Sequence, residues 1–220
     1  MRLRSICSGL DFDELAELEK IVTRETVKAG DPIFDEGEPA RFRYNVTSGS
    51  IKIYKLLGDG RRQIIGFLFP GDFLGLALGD DYAYGAEALV GSELCRFPRR
   101  ELDDLINRFP TLENRLLNAT SNELAVAQEQ MVLLGRKTAK EKVASMLLML
   151  SRRAVERGMA DNPVYLPMTR TDIGDYLGLT TETVSRTFTH LRAQGVISSK
   201  PGGRVWLDDV ETLNALVEGF

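Results

Sequence analysis

Between about residue 22 and residue 97 the apolar positions fall in short runs, such as residues 50–55 and 63–68. Gly30-Asp31-Pro32, Gly37, Gly49, Gly58-Asp59-Gly60, Pro70-Gly71-Asp72 and Gly91 cut those runs apart. Many short strands at this spacing predict a β-sandwich or jelly-roll. On either side the apolar period lengthens to that of a helix. Leu10, Phe12, Leu15, Leu18 and Ile21 mark one side of a short helix before the strands. Beyond them, Leu117, Thr120, Leu124, Ala127, Met131 and Leu134 recur at spacings of three and four within residues 111–135, the seam of a two-stranded coiled coil. The same stripe could pack on the chain's own β-region, but a helix joining two domains cannot bury every face that way, so a homodimer seam is expected. No seam position carries a charge.

After a break at Gly135-Arg136-Lys137-Thr138, Val143, Met146, Leu147 and Leu150 give a further helix its buried stripe. The pattern then tightens into two short helices. Thr169 with Asp172 three residues on forms a variant capping box; Ile173, Tyr176 and Leu177 supply an apolar face, and Gly178 ends the first helix. Thr180 caps the second. Its Val184, Phe188 and Leu191 face inward, leaving Thr181, Glu182, Ser185, Arg186 and Thr189 outside. This is the layout of a helix-turn-helix, whose second helix enters a major groove. Glu182, Ser185 and Arg186 are the expected base readers, Arg186 donating to guanine and Glu182 accepting from cytosine. Glu182 and Arg186 also stand in the order of an i,i+4 ion pair worth about 0.2–0.5 kcal/mol, which would hold the guanidinium ready. A loop ending in Val164-Tyr165-Leu166-Pro167 leads in. Downstream, residues 196–200 and 204–207 read as a hairpin turned by Pro201-Gly202-Gly203, a wing. Thr169, Arg170, Thr180, Thr181, Thr189, Lys200 and Arg204 are the expected contacts to phosphates.

The net charge of −4 over 220 residues argues against nucleic acid until it is divided along the chain. Residues 1–135 are net −6, residues 136–204 net +6, and residues 205–220 net −4. The basic block surrounds the helix-turn-helix, where phosphate contacts would supply most of the affinity. No apolar run approaches the roughly 20 residues of a membrane span, and no signal peptide opens the chain, so a cytoplasmic protein without membrane contact is expected. Enzyme chemistry fares poorly: the only histidine, His190, has no metal-ligand partner at suitable spacing, and there is no P-loop or nucleophile elbow. A winged helix serving only protein interactions, without DNA, stays open.

The run Glu182-Thr183-Val184-Ser185-Arg186 resembles the recognition helix of the CRP/FNR transcription regulators, in the FNR/FixK branch's form Glu-x-x-Ser-Arg; the cyclic-AMP receptor has Gly where Ser185 stands. The resemblance covers nearly the whole chain. It implies an α+β protein with an N-terminal segment and short helix (1–21), a cyclic-nucleotide-binding-like β-roll or jelly roll (22–108), a dimerisation helix (109–135) and a winged helix-turn-helix (136–220). It also implies an activator-type regulator of microaerobic or anaerobic metabolism, acting on a TTGAT-N4-ATCAA-like palindrome through RNA polymerase. FNR-type sensors can place an acidic residue on the dimerisation helix where Ala127 stands here.

The resemblance also sets tests for a ligand. In the cyclic-AMP branch, the loop after Gly-Asp-Phe supplies a Glu for the ribose and then an Arg for the phosphate. Here Gly71-Asp72-Phe73 is followed by Leu76 where that Glu belongs, no Arg comes after it, and Asp80-Asp81 would repel a phosphate; no cyclic nucleotide is expected. The FNR branch holds an iron–sulphur cluster on four cysteines, C-x2-C-x5-C and a fourth in the β-domain. Cys7 falls where the third ligand would and Cys95 where the fourth would, and these are the only cysteines. Counting six residues back from Cys7 reaches Met1. No cofactor is expected, then, and a 4Fe–4S cluster could be held only if the native chain extends upstream of Met1. Cys95 reads as a core residue, and Cys7, with Arg2 and Arg4 close by, as a candidate redox thiol.

Overall fold

The computed structural model describes residues 7, 9–76 and 79–218; the run carrying Arg2 and Arg4 and the Ala77 and Leu78 positions lie outside the described residues. Its contacts divide the chain into two compact units, residues 1–126 and 127–220, and the division falls within one long helix.

The first unit opens with α1 (Phe12–Ile21), set by a capping box in which the Asp11 N–H donates to Glu14 Oε2 and the Glu14 N–H returns to Asp11 Oδ1. Leu18 is buried, but Phe12, expected on the same apolar side, is 85% exposed because it stands at the first helical position. Eight strands follow: β1 (Thr23–Val27), β2 (Pro32–Phe34), β3 (Phe42–Ser48), β4 (Ile51–Leu56), β5 (Arg62–Leu68), β6 (Phe73–Leu74), β7 (Gly85–Ala88) and β8 (Ser92–Pro98). They form two antiparallel four-stranded sheets, ordered β1-β8-β3-β6 and β2-β7-β4-β5. Val46 and Leu94 from one sheet and Ile51 and Ala86 from the other meet in a single buried core, the expected β-roll. Two helices complete the unit, α2 (Arg99–Arg108) and α3 (Pro110–Arg136), which continues into the second unit. A second apolar cluster, built on Leu18, Phe73, Phe97, Leu102, Leu105 and Leu112, joins α1, α2 and the first turn of α3 to the roll.

The second unit adds α4 (Ala139–Glu156), β9 (Val164–Tyr165), α5 (Arg170–Leu177), α6 (Thr181–Ala193), β10 (Ile197–Lys200), β11 (Arg204–Leu207) and α7 (Val210–Glu218). The stretch expected as a plain loop before the reader is thus partly a strand. Tyr165 and Val164 pair with Arg204 and Val205, making the wing three-stranded in the order β10-β11-β9. Val143, Met146, Leu147 and Leu150 of α4 are buried as their spacing requires. The C-terminal carbonyls of α5, which have no partner inside their helix, are taken up by buried side chains: Gln130 Nε2 donates to Tyr176 O at 2.7 Å and Lys142 Nζ to Leu177 O at 3.0 Å.

The turn between α5 and α6 depends on two glycines. Gly178 adopts φ +63°, ψ +44°, the left-handed conformation that ends α5. Gly174, inside α5, receives the returning chain: the Leu179 N–H donates to Gly174 O at 3.0 Å, and a Cβ on Gly174 would stand 2.6 Å from Leu179 O. Gly174→Ala is expected to destabilise the protein by about 1–3 kcal/mol through this overpacking, against a helix-propensity gain of under about 1 kcal/mol. Thermal unfolding of the variant checks it; an unchanged midpoint would mean that the turn has room to move.

Candidate nucleic-acid interface

The entrance to α5 is fixed by reciprocal bonds. The Asp172 N–H donates to Thr169 Oγ1 at 3.0 Å, and the Thr169 N–H donates to Asp172 Oδ2 at 2.9 Å. Asp172 is buried, and the box replaces solvent with paired groups. Across the turn, Thr180 Oγ1 accepts from the Thr183 N–H at 3.2 Å and starts α6. With Val184, Phe188 and Leu191 all buried, the angular position of α6 is determined by its own core contacts. Its outer face is what the spacing predicts: Glu182, Ser185, Arg186 and Thr189 are exposed, and Ser185, Arg186, Thr189, His190 and Ala193 line a shallow open groove.

One expectation fails in detail. Among the described residues no ion pair joins Glu182 to Arg186. The Glu182 carboxyl is held below its ordinary range first by its own backbone N–H and then by Thr180, with the Arg186 charge the smallest contribution. At the second position of the helix, the free N–H groups and the cap compete for a carboxylate more effectively than a guanidinium one turn away. Arg186 therefore extends from the face unpaired with its neighbour, and the carboxylate lies at the helix N-terminus.

The residues expected on phosphates surround this face. Thr181 Oγ1 lies 3.4 Å from Thr171 Oγ1. Thr169 and Thr180 spend their hydroxyls on caps. Lys200 and Arg204 stand opposite each other in the wing hairpin, both exposed, and Lys200 Nζ sits 4.8 Å from the centre of the Trp206 ring. Arg170 is half-buried, its guanidinium carbon 3.4 Å over the Phe188 ring. Arg192, which the spacing did not single out, donates to Thr189 Oγ1 at 3.1 Å and to Ser199 Oγ at 3.5 Å, linking α6 to β10. Its position seven residues, two helical turns, beyond Ser185 was the available signal.

The α3 stripe expected as a dimer seam is largely exposed. Leu117 is 62%, Leu124 59% and Met131 69% exposed, and Thr120 and Ala127 are exposed between them. The buried positions of the helix, Leu112, Gln130 and Leu133, occupy a different stripe. Leu134 is less exposed than the rest of the stripe: it is half-buried, with Cδ2 3.4 Å from where a Cβ on Gly178 would stand, so the turn that ends α5 covers part of it. Val132, 63% exposed, adds apolar surface beside Met131.

In the β-roll, Leu76 packs at the margin of the second apolar cluster. The space between the sheets is filled by rings: Phe34 and Tyr82 stack with centroids 3.7 Å apart, and the Tyr82 hydroxyl donates to Phe42 O at 2.7 Å. Glu87 is neutralised from within the unit by Lys52 at 2.7 Å and Arg62 at 3.4 Å. Cys7 and Cys95 are both half-buried against the second cluster, and burial pushes the Cys95 thiol up, an effect that the Arg24 charge partly offsets. Among the described residues no group of three or more His, Cys, Asp or Glu could hold a metal. Two thiols supply half of the thiolates that a 4Fe–4S cluster needs, and the present residues do not fit one.

Comparison with known proteins agrees with this architecture. The cyclic nucleotide-binding domain family matches residues 24–109, and the Crp-like helix-turn-helix domain family matches residues 141–216. The chain is 43% identical over 217 residues to the nitrogen fixation regulation protein FixK of Bradyrhizobium diazoefficiens, covering 98% of this chain and 92% of that protein. It is 37% identical over 217 residues to the transcriptional activator protein FnrL of Cereibacter sphaeroides, covering 97% and 88%. The solved structure of FixK2 from Bradyrhizobium japonicum superimposes with a TM-score of 0.83 at 38% identity, over 89% of this chain and 97% of that one.

Proposed function

This chain belongs to the CRP/FNR family of transcription regulators, on its FixK branch, and from that premise we propose that it works as a homodimer on a TTGAT-N4-ATCAA-like palindrome to control microaerobic or anaerobic metabolism. It is a DNA-binding transcription regulator and not an enzyme, as its relatives are. The observation that carries the palindrome is the outer face of α6, where Glu182, Ser185 and Arg186 stand exposed on a helix fixed by a buried opposite face. Such a face reads base edges in a major groove: Arg186 presents a bidentate donor fork for guanine O6 and N7, and Glu182 an acceptor for a cytosine amino group. A two-fold pair of readers matches a palindrome whose half-sites lie one helical turn apart, roughly 34–36 Å.

The uncharged, exposed stripe of α3 supports pairing of protomers. Without like charges meeting across the axis, the helices need no ligand to bring them together, and the roll offers none a ready place. Its interior is occupied by Phe34 and Tyr82, Glu87 is already paired, and Asp80 and Asp81 oppose a phosphate. We therefore assign this protein no resident cofactor and no cyclic nucleotide. RNA polymerase is the further partner, and the cytoplasm the place of work; no helix among the described residues is long and apolar enough to cross a membrane.

The test is a mobility shift with aerobically prepared protein and no added ligand. Retention of a TTGAT-N4-ATCAA duplex in preference to a scrambled one is expected. Binding that appears only after anaerobic iron–sulphide reconstitution or with a cyclic nucleotide would overturn the ligand-free reading, and no preference at all would favour a winged helix devoted to protein contacts.

A further inference from the structure

Two arginines from different elements lie against neighbouring residues of α6, Arg170 on the Phe188 ring and Arg192 on the Thr189 hydroxyl. Arg170 enters from the first residue of α5 and lies flat on Phe188, so its plane is held by the ring while its nitrogens find no hydrogen-bond acceptor among the described residues. Arg192 comes from the last turn of α6 and is held toward the same region by the hydroxyls of Thr189 and Ser199. Burial first, and then the Arg192 charge, lower the Arg170 pKa, so the two cations feel each other. Neither is paired with a carboxylate among the described residues, and Asp172, two residues beyond Arg170, gives its Oδ2 to Thr169.

An arrangement of this kind is unfavourable in the free protein. Like charges repel, and a half-buried guanidinium without an acceptor pays part of its desolvation for nothing. Both costs are relieved by one singly charged, multi-acceptor anion placed between the forks, and a phosphodiester has that chemistry. The location is suitable: Ser185, Thr189 and Arg192 follow one another at spacings of four and three along α6, so Arg192 prolongs the base-reading face toward its end, where the groove wall replaces the base edges.

We propose that Arg192 and Arg170 of each protomer clamp a single DNA backbone phosphate between them, and that the link from Arg192 to Ser199 sets the wing strand relative to the same phosphate. This rests on the DNA-binding reading above. It makes Arg192 a contact that supplies affinity without reading sequence. Its loss therefore weakens specific and non-specific binding together, unlike the loss of Arg186.

Fluorescence anisotropy of the full chain on the palindrome and on a scrambled duplex, over a potassium chloride series, tests it. The slope of log K against log salt should become shallower by about 0.9 per protomer, roughly 1.8 for a dimer, in both Arg192→Ala and Arg192→Gln. The loss should be by the same factor on both duplexes, and Arg192→Lys should retain most of the slope. Arg192→Gln keeps donors for Thr189 and Ser199 but not the charge, so a wild-type slope in that variant would overturn the proposal in favour of a purely structural link. Weakening confined to the palindrome would overturn it in favour of base reading. Wild-type protein that binds neither duplex would remove the premise and the proposal together, a result distinguishable from the others by the control alone.

Discussion

Arg186→Ala is expected to abolish discrimination between the palindrome and a scrambled duplex while leaving the protein folded and its oligomeric state unchanged. Arg186 is exposed on α6 and pairs with no carboxylate among the described residues, so truncation removes nothing that supports the fold. On DNA it would remove a bidentate contact to guanine, worth about 1–3 kcal/mol of discrimination. The dimer makes that contact twice, so specific affinity should fall by about 2–6 kcal/mol, at least roughly thirtyfold. Arg186→Lys should recover little, since a point charge cannot reproduce the fork. The salt slope should change far less than the affinity ratio of the two duplexes, which separates this residue from the phosphate contacts. Mobility shifts of both variants on both duplexes read the result, and retained preference by Arg186→Ala would mean that sequence is read elsewhere.

The reader is legible in the sequence because the chemistry involved is local. Thr169, Asp172, Gly178 and Thr180 each act on a partner no more than four residues away, and Val184, Phe188 and Leu191 express a period that only one helix face satisfies. The same holds for the α3 stripe, whose exposure in the protomer matches its uncharged, three-and-four spacing. What was not legible depends on competition or on distance in the chain. Spacing permits a Glu182–Arg186 pair, but the unsatisfied first turn of α6 takes the carboxylate. Spacing likewise gives no sign that Leu134 is partly covered by the turn at Gly178. Gln130 and Lys142 reach α5 carbonyls 46 and 35 residues away, and Arg192 meets a serine of the wing; no pattern within one element announces such contacts. Phe12 fits an amphipathic period yet stays in solvent, since the first residue of a short helix has no turn before it to share its face.

The seam provides the larger consequence for the whole molecule. Leu124 is 59% exposed and lies near the middle of the stripe, so Leu124→Glu changes the protomer's surface and not its core. In a parallel pair, Leu124 of one protomer would meet its counterpart across the axis. Burying a leucine side chain is worth about 1.5–3 kcal/mol, so losing two removes about 3–6 kcal/mol of association free energy before any charge is considered. The two carboxylates then oppose each other in a partly dehydrated seam, which disfavours the pair further. Leu124→Glu is therefore expected to sediment as a monomer at micromolar concentration where the unmodified protein is a dimer, with an unaltered circular dichroism spectrum and no retention of the palindrome. The sign of its pH dependence follows from the same repulsion. A carboxyl whose pKa is raised by dimerisation stabilises the dimer below its monomer pKa and loses that contribution as pH rises through the dimer value. Acidification should therefore restore some association to the Glu variant but not to Leu124→Lys, whose ammonium groups repel throughout that range. Arg186→Ala supplies the complementary control, remaining a dimer without specificity. If Leu124→Glu stays dimeric and still binds, the protomers meet through some other surface, and a helix with four large apolar side chains more than half exposed would require a different occupant.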